Sequence, residues 1–223
     1  MKKIIFKDVT VRFHGYTALD IPNLELNGGI KLAVTGESGS GKSTLLNILS
    51  LLEGISGGRI FWDGKRVDSF SQMEKDRFRY ENIGFVMQDF YLYSGLSALQ
   101  NVLLPIRFRY FKIPKHFLKR AFYLLESLNI AECSKNIDLL SRGEKQRIAI
   151  ARALINSPKV IIADEPTASL DAQNGVHAAK LLLSLADETK SALICATHDK
   201  SLIEKLAYRL ELKKGGKIEA FFA

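Results

Sequence analysis

The sequence predicts an α/β protein built on a mixed sheet, and three observations carry that prediction. Residues 36–43, Gly36-Glu37-Ser38-Gly39-Ser40-Gly41-Lys42-Ser43, spell G-x-x-x-x-G-K-S between an apolar run at 30–35 and the helical pattern Thr44-Leu45-Leu46-Asn47-Ile48-Leu49. That is the strand–loop–helix setting a phosphate-binding loop requires. Residues 159–164 and 192–197 are continuous apolar runs, as expected of parallel strands buried on both faces. Residues 57–67 read instead as an antiparallel hairpin, with Asp63-Gly64 supplying the turn.

Taken in order, residues 4–13 alternate as a strand should, interrupted by the carboxylate of Asp8. Residues 82–87 form a buried strand ending at Gln88. From about 98 to 130 the pattern turns helical, with Leu118, Ala121, Phe122, Leu125 and Leu128 at helical spacing. Ser141 and Glu144 fit a capping box that opens a helix through Ile148, Ala151, Leu154 and Ile155, which Pro158 stops. The last stretch, 208–222, alternates around Gly215-Gly216 and is expected to be an edge hairpin. Polar residues at the carboxyl ends of the buried strands, Asp164-Glu165 and His198, should line one crevice.

With 223 residues, 47% hydrophobic and 25% charged, the chain can bury a full core as one large domain or a domain with a sizeable insertion, and disorder is not expected. Charged and polar residues interrupt every apolar run short of the roughly 20 residues a bilayer demands. Lys7 and Asp8 cut the opening Ile4-Ile5-Phe6 too short for a signal peptide. Cys133 and Cys195 lack metal-type spacing and read as buried thiols of a reducing compartment. The net charge of +8 suits nucleic acid, anionic headgroups or an acidic partner without choosing among them. Arg107, Arg109, Lys112, Lys115, Lys119 and Arg120 interleave with Phe108, Tyr110, Phe111, Phe117 and Phe122. That segment is expected to be helical, with a buried aromatic side and a solvated basic side, rather than an RNA-stacking surface.

The loop's chemistry follows from its residue types. Gly36, Gly39 and Gly41 let backbone N–H groups, including those around Glu37, Ser38, Ser40 and Thr44, converge on anionic oxygens, and the helix N-terminus adds positive potential. Lys42 supplies a point charge for β- and γ-phosphates, and Ser43 a hydroxyl for Mg²⁺. Asp164 at a strand end suits the hydration shell of Mg²⁺, while Glu165 beside it is placed to polarise an attacking water.

With these motifs assembled, the chain resembles over essentially its whole length the ATP-binding subunit of ABC transporters, a P-loop NTPase. Six motifs occur in that family's order: the phosphate loop, Gln88, the signature Leu140-Ser141-Arg142-Gly143-Glu144-Lys145-Gln146-Arg147, the run 160–165, Ser169-Leu170-Asp171, and His198. The resemblance implies a mixed-sheet core, an antiparallel N-terminal β-subdomain and a helical subdomain inserted at about 89–156 of a single domain spanning 1–223. It implies that Phe13, or Tyr16 in its place, stacks on adenine, that Gln88 reaches Mg²⁺ and senses the γ-phosphate, and that His198 contacts that phosphate. Ser141, Gly143 and Glu144 would form a second phosphate-facing helix end, and Asp171 would cross to a partner subunit. Two anion sites on one chain imply a head-to-tail homodimer with each ATP between Lys42 of one copy and Ser141-Gly143 of the other.

Within the family, residues 35–49 and 83–90, with Leu96-Ser97-Ala98-Leu99-Gln100-Asn101-Val102 and Leu104-Pro105, look most like the lipoprotein-release, macrolide-export and cell-division ATPases. An integral membrane permease would contact the helical subdomain, so the chain is expected on the cytoplasmic face of the membrane, with no specific nucleic acid. The alternative is a soluble ABC ATPase working on nucleic acid or ribosomes, which 223 residues leave little space for. A phosphotransferase using the same loop is disfavoured by the signature. Two departures stand out: Arg142 replaces a common glycine, and Asn136-Ile137-Asp138-Leu139 lacks the usual Pro-x-Gln flavour.

Overall fold

The computed structural model describes residues 1–168 and 170–222, so Ser169 of the expected Ser169-Leu170-Asp171 motif lies outside the described residues. The chain begins with β1 (Lys3–Phe13), β2 (Tyr16–Asn27) and β3 (Lys31–Thr35), which leads through the glycine loop into α1 (Lys42–Leu49). The hairpin β4 (Gly57–Trp62) and β5 (Lys65–Arg66) is followed by α2 (Gln72–Asn82) and β6 (Ile83–Val86). Three helices, α3 (Ala98–Arg107), α4 (Lys115–Ser127) and α5 (Arg142–Leu154), come before β7 (Val160–Asp164). Then follow α6 (Ala172–Glu188), β8 (Ala192–Ala196), α7 (Lys200–Ile203), β9 (Tyr208–Lys213) and β10 (Lys217–Phe222).

The strands among the described residues join one sheet in the order β5-β4-β1-β2-β10-β9-β3-β8-β7-β6. Its first four members pair antiparallel, while β6, β7, β8, β3 and β9 run parallel. The strand period of two decides which core each parallel residue enters. Ile161 and Ala163 of β7, with Leu193 and Cys195 of β8, face the core built by α3 to α6. Val160, Ile162 and Ile194 face the opposite core, made with α1 and the N-terminal strands. Both faces are apolar, which is why these two segments read as unbroken hydrophobic runs.

Asp8 marks a real irregularity. Its φ is 51°, the β1–β4 register shifts between Lys7 and Thr10, and the buried set changes phase from Ile4 and Phe6 to Val9 and Val11. A bulge does this by adding one residue to one strand. At the β4–β5 turn Asp63 (φ 49°) and Gly64 (φ 82°) both occupy the left-handed region, as a tight hairpin turn demands.

Three expectations need correction. The hairpin of β9 and β10 is not at an edge: β9 pairs with β3 and β10 touches β2 through Lys217 and Asp20, so the hairpin joins the two halves of the sheet. Alternation reports that one residue in two is buried, and a mid-sheet hairpin satisfies it as well as an edge does. The helical stretch 98–130 is broken: α3 ends at Arg107, and Pro114, which disfavours helical backbone at Ile113, is the N-cap from which α4 restarts. The aromatic side of the basic segment is largely not buried: Phe117 packs on the core, whereas Phe108, Phe111 and Phe122 are exposed. Of the two free cysteines, Cys195 is buried and Cys133 only half-buried. No helix among the described residues is long and apolar enough to cross a membrane.

Candidate functional site

The glycine loop is shaped by contacts that exclude side chains. Gly36 has φ 142° and Gly41 φ 99°. A Cβ on Gly36 would strike the Leu212 carbonyl of β9, and one on Gly41 the Ala18 carbonyl of β2. The loop is thereby wedged between two strands. Gly41 is the N-cap of α1, and it provides no side-chain hydrogen bond; the first turn of α1 also holds no acidic residue. By contrast Ser71, Ser97, Ser141 and Asp171 cap α2, α3, α5 and α6 with their own oxygens. The start of α1 therefore keeps free donors and positive potential for an external anion.

Lys42 folds back over this loop, donating from Nζ to the carbonyl oxygens of Gly36 (2.7 Å) and Glu37 (3.0 Å). The Ser40 hydroxyl is buried and has no hydrogen-bond partner among the described residues. Ser38, Gly39, Gly41, Lys42, Ser43 and Thr44 line a cleft of about 410 Å³, and Gln88, Asp164, Glu165 and His198 close its far side. Phe13 and Tyr16, register partners across the β1–β2 hairpin, sit at the cleft with Phe13 41% and Tyr16 56% exposed. Both rings are available to a planar base, so the sequence alternatives stand side by side in space. Ala18 also lines the cleft, and no motif marks it in the sequence; Gly41 and Gly216 press against its carbonyl only in the folded sheet.

The acidic corner is built by strand register. Asp164 of β7 lies opposite Ala196 of β8, and the Glu165 N–H donates to the Ala196 carbonyl at 2.9 Å. Glu165 adopts φ 44°, an unfavourable conformation for a non-glycine residue that swings its side chain toward the His198 loop. Its Oε1 lies 3.6 Å from His198 Nε2, and its Oε2 accepts from the His198 N–H at 3.4 Å. The carboxyl group is thus oriented by two contacts from one residue. Thr167 Oγ1 donates to Asp199 Oδ2 at 3.2 Å, tying the segment after Glu165 to the one after His198.

Ser141, Gly143, Glu144 and Asp171 do not line this cleft. At the start of α5 the Ser141 N–H and hydroxyl donate to Glu144 Oε2 at 2.9 and 2.7 Å, completing the expected capping box. Those bonds, the backbone one foremost, hold the Glu144 carboxyl below the usual glutamate value. A Cβ on Gly143 would lie 3.1 Å from Asn174 Oδ1, so the glycine permits α5 and α6 to approach. Asp171 caps α6 through the Asn174 N–H and side-chain amide, at 2.9 and 2.7 Å, and the same bonds lower its pKa. One chain thus carries the cleft over the glycine loop in one place and the signature in another.

Residues 19–168 match the ABC transporter family. The chain belongs to the ABC transporter family. This ABC chain is 40% identical over 194 residues to the lipoprotein-releasing system ATP-binding protein LolD of Treponema denticola, covering 86% of this chain and 85% of the relative. It is 39% identical over 202 residues to the LolD protein of Aquifex aeolicus, covering 90% and 89%. Among solved structures it superposes with TM-score 0.87 on the dimeric ABC transporter cassette MJ0796, 35% identical, covering 98% of this chain and 97% of that one. A dimeric post-hydrolysis state of MJ0796 bound to ADP and Pi superposes with TM-score 0.85 at 34% identity. The chain is an ATP-binding ABC ATPase subunit with the mixed α/β cassette fold.

Proposed function

We propose that this chain hydrolyses ATP as one half of a homodimer and thereby drives a separate membrane subunit in lipoprotein release or a related envelope process. The observation that carries the proposal is the spatial separation just described: the uncapped start of α1 faces the acidic corner across one cleft, while Ser141 and Gly143 sit outside it. A second copy, turned head to tail, brings its Ser141-Gly143 end over the triphosphate and completes both sites at once. The dimeric cassettes to which the chain is similar support this reading.

In this reading the N–H groups of residues 38–44 and the Lys42 ammonium hold the phosphates, with Lys42 exchanging its two carbonyl contacts for phosphate oxygens. Phe13 or Tyr16 stacks on the adenine. Ser43, Gln88 and Asp164 converge on the cleft with the hydroxyl, amide and carboxylate oxygens that Mg²⁺ accepts, and this donor set fits the ion. When bound, Mg²⁺ neutralises charge on the β- and γ-phosphates. Glu165 takes the proton of the attacking water, and His198 keeps the Glu165 carboxyl in position and contacts the γ-phosphate. Asp171 lies at the subunit boundary.

Residues 1–223 act as one cassette, with residues 89–156 as an inserted helical subdomain that contacts the permease. That places the chain at the cytoplasmic face of the membrane. The names of its relatives support lipoprotein release as the process served. Light scattering on the Glu165→Gln variant tests the dimer: saturating ATP should give twice the monomer mass. A monomer under those conditions, both alone and with the permease present, overturns the proposal.

A further inference from the structure

Residues 90–125 contain no Asp or Glu, yet carry Arg107, Arg109, Lys112, Lys115, Lys119 and Arg120. Two of these cations are engaged within the fold. Arg120 donates to the carbonyls of Leu154 and Ile155, and Arg109 lies 4.9 Å from the Tyr80 ring centre and 3.7 Å from the Glu81 carboxylate. Arg107, Lys112, Lys115 and Lys119 are exposed, and among the described residues they form no ion pair. The turn between α3 and α4 also presents Phe108, 80% exposed, and Phe111, fully exposed. Its base is fixed: Tyr110 packs on Phe117 at 5.9 Å between ring centres, and Arg109 caps Tyr80.

Two phenylalanine rings held in water on an anchored turn cost free energy that neither core recovers. Scattered single apolar side chains need no explanation, but a pair ringed by unpaired cations is the composition that seats at a lipid interface. We propose that this turn is a membrane-surface contact. Phe108 and Phe111 enter the boundary between headgroups and acyl chains, while Arg107, Lys112, Lys115 and Lys119 meet anionic phospholipid headgroups. Charge complementarity selects that occupant. A protein partner would need matched carboxylates around two rings, whereas an anionic leaflet offers negative charge at every approach and accepts the rings without a preformed pocket. Single-stranded RNA would use the same cations but favours rings laid on a strand platform for stacking, not on a turn.

The test is flotation of the full-length chain with vesicles of phosphatidylglycerol and phosphatidylcholine, and with phosphatidylcholine alone, in the absence of nucleotide and permease. The chain should float with the anionic vesicles only, and less as salt rises. Phe108→Ser with Phe111→Ser leaves the net charge at +8, so non-specific attraction is preserved. That variant should nevertheless lose binding about tenfold. Lys112→Glu with Lys115→Glu should lose more, since each surface cation contributes roughly fivefold. All four side chains are exposed, so melting temperature and ATP binding should match the parent and certify the fold. Failure of the parent to float, equal flotation of the serine variant, or binding of polyuridylate by the parent that both variants lose while still floating would each overturn the proposal. None of these outcomes bears on the ATP-driven dimer, whose assay reads the mass of the Glu165→Gln variant at saturating nucleotide.

Discussion

The guanidinium carbon of Arg142, in the first turn of α5, lies 5.7 Å from the centre of the Phe90 ring, two residues beyond Gln88. At the other end of the same helix Arg152 donates to the Phe90 and Tyr91 carbonyls, at 2.6 and 2.5 Å. The segment leaving the cleft at Gln88 is therefore held by both ends of the helix that begins with the signature. Arg142, in place of a common glycine, adds a contact between two parts of the proposed site.

Arg142→Gly should leave ATP affinity within about twofold and change the hydrolysis rate about two- to fivefold, the range of an exposed cation–π contact of roughly 0.5–1 kcal/mol. Arg142→Lys should behave nearer to the glycine variant, because an ammonium does not stack as the planar guanidinium does. Steady-state ATPase rates and nucleotide titrations check this; unchanged affinity and rate in the glycine variant would show that the side chain is a bystander.

Glu165→Gln keeps the side-chain volume but removes the proton acceptor. Hydrolysis should fall by about 10²-fold or more, while ATP is still bound. Single-turnover measurement of phosphate release decides the matter, and normal turnover would exclude Glu165 as the base.

Lys42→Ala removes the ammonium that now bridges the Gly36 and Glu37 carbonyls. Nucleotide affinity should drop about tenfold or more, in line with roughly 1.5–3 kcal/mol for hydrogen bonds to charged groups. Calorimetric titration with a non-hydrolysable ATP analogue measures it. Since the loop's glycines keep their strand contacts, the melting temperature of the free protein should move little.

The α5 capping box makes a prediction with a sign. The Ser141 N–H, and then its hydroxyl, hold the Glu144 carboxyl below its ordinary value. A lowered folded-state pKa contributes stability that is fully present above the unfolded value and is lost as pH falls through the folded one. Glu144→Ala should thus cost about 1 kcal/mol near neutrality, and the deficit should shrink in acid below the carboxylate range. Paired thermal melts at the two conditions test it; a deficit independent of pH would contradict the argument.

Gly84 of β6 lies against α5, where an added Cβ would collide with the Ala153 carbonyl and come within 2.9 Å of Pro158 Cγ. Gly84→Ala should destabilise by about 1–3 kcal/mol through overpacking. A lower urea midpoint with an unchanged slope is the expected signature.

The phosphate loop, both doubly buried strands, the Asp63-Gly64 hairpin and the Ser141-Glu144 box were legible because each is specified within about a dozen residues. Turn conformation, capping and period are local properties, and the sequence states them locally. The place of β9 and β10 was not legible, since Leu32 with Tyr208 and Asp20 with Lys217 are pairings across most of the chain. The exposure of Phe108 and Phe111 was hidden for a related reason: helical spacing names a face, but α3 ends at Arg107 before that face is complete. In the cleft, Ser38, Gly39, Gly41, Lys42, Ser43 and Thr44 could be named from the motif alone, whereas Gly36, Glu37 and Ser40 of the same motif do not line it. The meeting of Glu165 with His198 depends on the alignment of β7 with β8, which only the folded sheet supplies.

The hairpin of β9 and β10 carries a consequence for biogenesis. During vectorial synthesis the antiparallel half of the sheet, the glycine loop and α1 all emerge before the two strands that unite them with β3. Until residues 208–222 arrive, the Leu212 carbonyl that walls in Gly36 is missing, and so is the bridge from β2 to the parallel strands. Closure over such long sequence separations is slow. A nascent chain halted before this hairpin should therefore hold a half-built, protease-sensitive cradle, and competence to grip nucleotide should appear only as the final strands dock.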